Sequence, residues 1–139
     1  MKLNAVTLLP GEGNIKSVYE RVLKGKHADF VCLSTGYVQV IGDWYDDQFE
    51  PQLFGGKVET REIVADTTGN RAYGAKKDGV KNQARYLAES AESDLILGDD
   101  FAALVSFNPG NPYAVVIEDE AIVKSVRVWF DTMWSASSR

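Results

Sequence analysis

The chain has 139 residues, 45% of them apolar, which suits one globular domain over residues 1–139 with a core of its own, and not two domains. Its formal net charge of −5 and sequence pI near 4.9 leave no clustered basic surface for phosphate neutralisation, so direct nucleic-acid binding by this chain is not expected. One cysteine, Cys32, cannot form an internal disulfide, and this is the usage of a reducing, cytoplasmic setting.

In chain order, Asn4 to Leu9 reads as a first strand, and Pro10-Gly11-Glu12 leaves its apolar run too short for a signal peptide or a membrane span. Asn14 is then expected to cap a helix, because Ile15, Val18, Tyr19, Val22 and Leu23 follow amphipathic spacing up to a stop at Gly25. Ala28 to Ser34 is a short apolar strand that would bury Cys32 as a core thiol. Thr35-Gly36 reads as the loop at its carboxyl end, and Tyr37 to Ile41 alternates weakly. Trp44, Tyr45, Phe49, Leu53 and Phe54 fall at near-helical spacing, which predicts a helix over 43–53, irregular near Pro51. These aromatics fit core or dimer contacts better than a cofactor box.

Beyond the Gly55-Gly56 turn, Val58 to Ala65 alternates as a strand, with Val58, Thr60, Glu62 and Val64 on one face and Glu59, Arg61, Ile63 and Ala65 on the other. Asp66 to Asn70 is loop and cap chemistry, Arg71 to Lys77 one or two helical turns, and Val80 to Leu87 another strand. Leu95-Ile-Leu97 and Phe101 to Val105 are apolar runs joined by the turn Gly98-Asp99-Asp100, as expected of a hairpin at the centre of a covered sheet. Asn108 to Pro112 is a turn, and Tyr113 to Ile117 a strand. Asp119 caps a last helix whose predicted buried stripe is Ile122, Val126, Trp129, Phe130 and Met133, widened by Val123 and Trp134. The tail, Ser135 to Arg139, is expected to fray. Alternating helices and strands give an α/β class: a mixed β-sheet of about six or seven strands flanked by the first and last helices.

The hairpin carries a family resemblance. With Asp99 at the Asp of the phospholipase D motif His-x-Lys-x4-Asp, Glu92 stands at the His and Asp94 at the Lys, and Val105-Ser106-Phe107-Asn108 looks like the Gly-Ser/x-Asn element that closes the motif. Arg61-Glu-Ile-Val, Asp66-Thr, Asn70-Arg71, Arg85-Tyr-Leu87 and the last helix resemble, in the same order, the non-catalytic phospholipase-D-like effector domains of TrmB-like archaeal and bacterial transcription regulators. Together they cover about two thirds of the chain. The resemblance implies a single phospholipase-D-like half, kept as a scaffold with its catalytic residues lost. It also implies a homodimer, because single-motif members pair to complete one site, with the turns from Glu92 to Asp100 of both chains lining a shared silent cleft. The winged helix-turn-helix of the full regulators is absent from this sequence.

The residues themselves weigh against catalysis. Phosphoryl attack of this type needs an imidazole and a second group to protonate the leaving oxygen, and the one histidine, His27, lies far from the motif turn. Glu92, Asp94, Asp99 and Asp100 could hold Mg²⁺ or Ca²⁺, although Asp-Asp after Gly more commonly marks a solvated turn. A zinc site within one chain is excluded by one His and one Cys, and no phosphate-loop or dinucleotide fingerprint is present, so no cofactor is expected. Arg61, Arg71 and Arg85 suit a small polar or anionic ligand, the alternative being surface ion pairs with the chain's 20 acidic residues. The candidate ligand residues are Arg61, Asn70, Arg71, Arg85, Glu92, Asp94, Asp99, Ser106 and Asn108. The expectation is a non-catalytic ligand-sensing or dimerisation domain; a stand-alone assembly module and a phosphodiesterase are its rivals.

Overall fold

In the computed structural model, which describes residues 5–139, the elements are β1 (Val6–Pro10), α1 (Glu12–Leu23), β2 (His27–Cys32), α2 (Tyr37–Trp44), a π-helical turn (Tyr45–Phe49), α3 (Glu50–Gly55), β3 (Glu59–Ala65), α4 (Thr68–Gly74), β4 (Asn82–Leu87), β5 (Ser93–Leu97), β6 (Ala102–Ser106), β7 (Tyr113–Ile117) and α5 (Glu120–Ala136). The seven strands form one sheet in the order β1-β7-β6-β5-β2-β3-β4. β2, β3 and β4 run parallel, while β5 joins β2 antiparallel and leads into the β5–β6 hairpin. The hairpin thus lies in the middle of the sheet, as its unbroken apolar runs require.

Each face of the sheet has its own helical cover. On one, Phe30, Ile96, Ala103 and Val105 pack under Ile15, Val18, Tyr19 and Val22 of α1 and under Phe49 and Leu53. On the other, Val31, Ile63, Leu97 and Ala102 meet Val123, Val126 and Phe130 of α5. Strand alternation sorts β3 as read from sequence: Thr60, Glu62 and Val64 face the α1 side, Arg61 and Ile63 the α5 side.

Several elements differ from the sequence reading, each for a local reason. The first helix begins at Glu12, capped by Gly11 at φ 89, a left-handed conformation open to glycine; Asn14 lies inside it, donating to the carbonyl of Pro10. Of the first strand, Asn4 lies outside the described residues. The predicted helix 43–53 belongs to a longer helical segment from Tyr37 to Gly55, interrupted by the π-turn, and Pro51 sits in the first turn of α3 directly after that irregularity. α4 starts earlier than Arg71, with the Thr67 hydroxyl accepting from the Asn70 N–H. The tail does not fray: α5 runs to Ala136, and Ser138 exchanges backbone hydrogen bonds with Tyr86 of edge strand β4.

The buried stripe of α5 is also rotated from the predicted one. Val123, Val126 and Phe130 are buried, whereas Trp129 is 65% exposed and Ile122 40% exposed. Arg127 takes part of the sheet-facing side because Asp29, buried on β2, requires cations; Arg127 reaches it at 3.4 Å and donates to the Gly98 carbonyl at 2.9 Å.

Candidate functional site

Between the α1 face of the sheet and the segment from α2 to α4 lies a cavity of about 270 Å³. Its floor is buried: Asp94 of β5, Glu62 of β3, Tyr19 of α1 and Phe30 of β2. Ser34, Tyr37, Gly69 and Asn70, all at least partly exposed, form the rim near the carboxyl ends of β2 and β3. Tyr45 and Tyr73 close one wall. No ligand-holding cluster of three or more His, Cys, Asp or Glu suited to a metal ion occurs among the described residues.

The polar atoms of the cavity are largely committed to one another. Tyr73 donates to Glu62 at 2.9 Å, its oxygen lies 3.2 Å from that of Tyr45, and Lys77 forms a buried ion pair with Glu62. Asn70 turns its amide to the Ala65 carbonyl at 2.8 Å. Asp94 is the exception. It is 2% exposed; Tyr19 approaches its Oδ2 at a long 3.5 Å, and Oδ1 has no hydrogen-bond partner. Desolvation pushes its carboxyl up to about 7, against the pull of hydrogen bonds from Cys32 and Tyr19 and with help from the Glu62 charge. Burial and then the Asp94 charge push the Tyr19 hydroxyl and the Cys32 thiol well up. Cys32 therefore packs at the edge of the α1-side core and lines the cavity as a thiol held in its protonated, unreactive form.

Two of the nine candidate ligand residues, Asn70 and Asp94, meet at this cavity. The others are dispersed. Arg61 and Arg85 lie across the sheet on the α5 side, both over the Trp134 ring; Arg61 clamps Asp29 through two bonds of 2.9 and 3.0 Å, and Arg85 donates to the Trp134 carbonyl. Arg71 grips Asp66 and stacks 3.8 Å over Tyr86. Arg61 and Arg85 thus share the α5 side and the Trp134 ring, Arg71 is held on α4 by Asp66 and Tyr86, and none of the three lines the cavity. Glu92 is exposed before β5, Ser106 ends β6 on the α5 side, and the Asn108 side-chain Oδ1 accepts from the Gly110 N–H in its own turn.

Asp99 is at the other end of β5 from Asp94. It accepts from the backbone N–H groups of Lys26 and His27 at 2.8 and 3.2 Å, and a Cβ on Gly25 would come within 2.9 Å of its Oδ2. It thus fastens the hairpin turn to the start of β2. A strand separates Asp94 from Asp99, so one chain's motif residues do not line a common cleft at that turn. His27 stands at the same end as Asp99, 3.1 Å from Glu59, and is absent from the cavity.

The cavity residues that sequence reasoning did not select include Tyr19, Cys32, Glu62 and Tyr73, with Lys77 outside the lining as the ion-pair partner of Glu62. The signal available was an acidic residue on an inward strand face: Glu62 alternates with Thr60 and Val64, which are buried.

Comparison with solved structures places this arrangement. The chain superposes on TrmBL2, an archaeal chromatin protein, with TM-score 0.66 and 15% identity, over 99% of this chain and 55% of that one. It superposes on NucT from Helicobacter pylori with TM-score 0.66 and 9% identity, over 96% and 97% of the two chains. Nuc from Salmonella typhimurium, a phospholipase D family member, gives TM-score 0.59 and 12% identity over 95% and 96%. No family model and no curated relative matches the sequence. The fold is phospholipase-D-like; the chain spans about half the length of TrmBL2, and nearly the full length of NucT and Nuc.

Proposed function

We propose that this chain is a non-catalytic effector domain on a phospholipase-D-like scaffold, which senses a small ligand in the Asp94 cavity. The observation that carries the reading is the cavity itself: a buried carboxylate stands where the resemblance calls for the motif lysine, and the cavity lining includes no imidazole. An ionised carboxylate repels a phosphodiester and has no proton to give the leaving oxygen, and the motif imidazole is absent from the cavity. TrmBL2, described as a chromatin protein, and Nuc, described as a phospholipase D family member, share the fold, so fold alone leaves both roles open and the site residues favour the first.

Pairing of two copies belongs to the same reading. Leu8, Val115 and Leu104 lie side by side across β1, β7 and β6 on the α5 side of the sheet; Leu8 is 64% and Leu104 51% exposed, with Val6 exposed beside them. A contiguous apolar face of this kind supports a self-complementary two-fold contact.

Two measurements test the proposal. Hydrolysis of bis-p-nitrophenyl phosphate, with and without divalent metal, is expected to be nil; turnover that disappears in Glu92→Ala or Asp94→Ala would return the chain to the enzymes. A thermal-shift screen against a broad metabolite set is expected to yield stabilising compounds, since ligand at a hundredfold excess over Kd adds about 2.7 kcal/mol. A screen without any response favours an assembly module.

A further inference from the structure

The ligand class of the cavity follows from what its walls leave unsatisfied. Two carboxylates face the interior, Asp94 and Glu62, and one ammonium, that of Lys77, answers them. Lys77 Nζ pairs with Glu62 and lies 4.9 Å from the centre of the Tyr73 ring and 5.1 Å from that of Phe54. The molecule thus already places an ammonium between a buried carboxylate and aromatic faces. Asp94 has similar surroundings without the cation. Tyr19, directly above it, lies with its ring centre 6.4 Å from that of Phe30 and 6.0 Å from that of Tyr45, and Asp94 Oδ1 has no donor. A buried carboxylate left in this state is costly until a counter-charge reaches it.

We infer that the cavity takes a protonated alkylamine, which pairs with the Asp94 carboxylate while its apolar body lies against the rings of Tyr19, Phe30 and Tyr45. An anion is disfavoured, because two carboxylates and no guanidinium line the space. A polyhydroxylated ligand is disfavoured as well: the hydroxyls of Tyr45 and Tyr73 and the amide of Asn70 are engaged with one another, with Glu62 and with backbone, leaving few groups to read a ring of hydroxyls. Apart from the rim hydroxyls of Ser34 and Tyr37, the buried end of the cavity offers the Asp94 carboxylate amid π-faces, which matches a single ammonium on an apolar stem. The assignment rests on the effector reading above and narrows it to a ligand class.

The test is calorimetric titration of the intact chain at about pH 8, above the value of about 7 at which Asp94 ionises, with butylammonium and benzylammonium. Butan-1-ol and benzyl alcohol serve as neutral counterparts, butyrate and benzoate as anionic ones. At least one ammonium is expected to bind about tenfold or more tightly than its alcohol, and the carboxylates not at all. Asp94→Asn is expected to remove that preference while leaving the thermal midpoint at or above that of the wild type. Equal affinity for amine and alcohol, an unchanged preference in Asp94→Asn, or no binding of either amine overturns the inference. If the variant does not fold, the wild-type comparison of the amines with their alcohols decides alone. The parallel metabolite screen separates the two levels: failure of both amines beside a stabilising neutral or anionic compound removes the amine assignment and leaves the effector reading, whereas failure of everything removes both.

Discussion

Replacing Asp94 by Asn tests the electrostatics of the cavity at its least compensated point. The carboxyl is 2% exposed, and its value of about 7 against an ordinary 3.8 means that the folded protein holds a proton the unfolded chain has already released. Below about pH 4 both states are protonated and the group contributes nothing to the pH dependence. Between about 4 and 7 the native state binds more protons, so stability falls as pH rises; above about 7 both states are ionised and the loss is complete. A rise of this size corresponds to about 4 kcal/mol, an upper bound because water and side chains relax around a newly formed charge. Asn keeps the shape and removes the charge. Urea denaturation of both proteins is therefore expected to show Asp94→Asn more stable by about 1–4 kcal/mol at pH 8 and by about two fifths of that margin at pH 5, where the native Asp94 is mostly protonated but the unfolded one is not. A variant less stable than the wild type at pH 8, or a difference that does not change with pH, would refute the reasoning and show that Asp94 is compensated in the folded protein.

Three further outcomes are expected. Phe130→Ala should cost about 3–5 kcal/mol in urea denaturation, since Phe130 is 1% exposed, whereas Trp129→Ala, at a 65% exposed position, should cost about 1 kcal/mol or less in the monomer; equal losses would mean that α5 docks through a different face. Arg61→Met should destabilise by about 2–3 kcal/mol, because Asp29 loses its bidentate partner and keeps the longer contact to Arg127; a loss of a few tenths would show that Arg127 suffices. Sedimentation velocity at micromolar concentration should show a species heavier than the 15.3 kDa chain, returned to monomer by Leu104→Asp; the monomer mass at every wild-type concentration would remove the pairing proposal.

Much of the scaffold was legible from local patterns. The spacing of Ile15, Val18, Tyr19 and Val22 makes one side of α1 apolar, and all four are buried; the two apolar runs around Gly98-Asp99-Asp100 form a hairpin that contributes the middle strand of the sheet. Alternation in β3 likewise separated Glu62 from Arg61. These are short-range constraints, set by the helical and strand repeats of a single segment. The place of Asp94 among the candidate residues also came from sequence, through its position in the resemblance.

Tertiary structure decided the rest, because it depends on which segments lie across from one another. Only the parallel pairing of β2 with β3, and the antiparallel pairing of β2 with β5, bring Glu62, Cys32 and Asp94 onto one face beneath Tyr19. The same pairing sends Arg61 and Arg85 to the opposite side, where Asp29 and Trp134 hold them. Trp129 faces outward because Arg127, drawn in by Asp29, turns α5 away from its most apolar reading. In each case the side chain's fate is set by a charge or ring brought close by a distant part of the chain, and a local repeat carries no record of that partner.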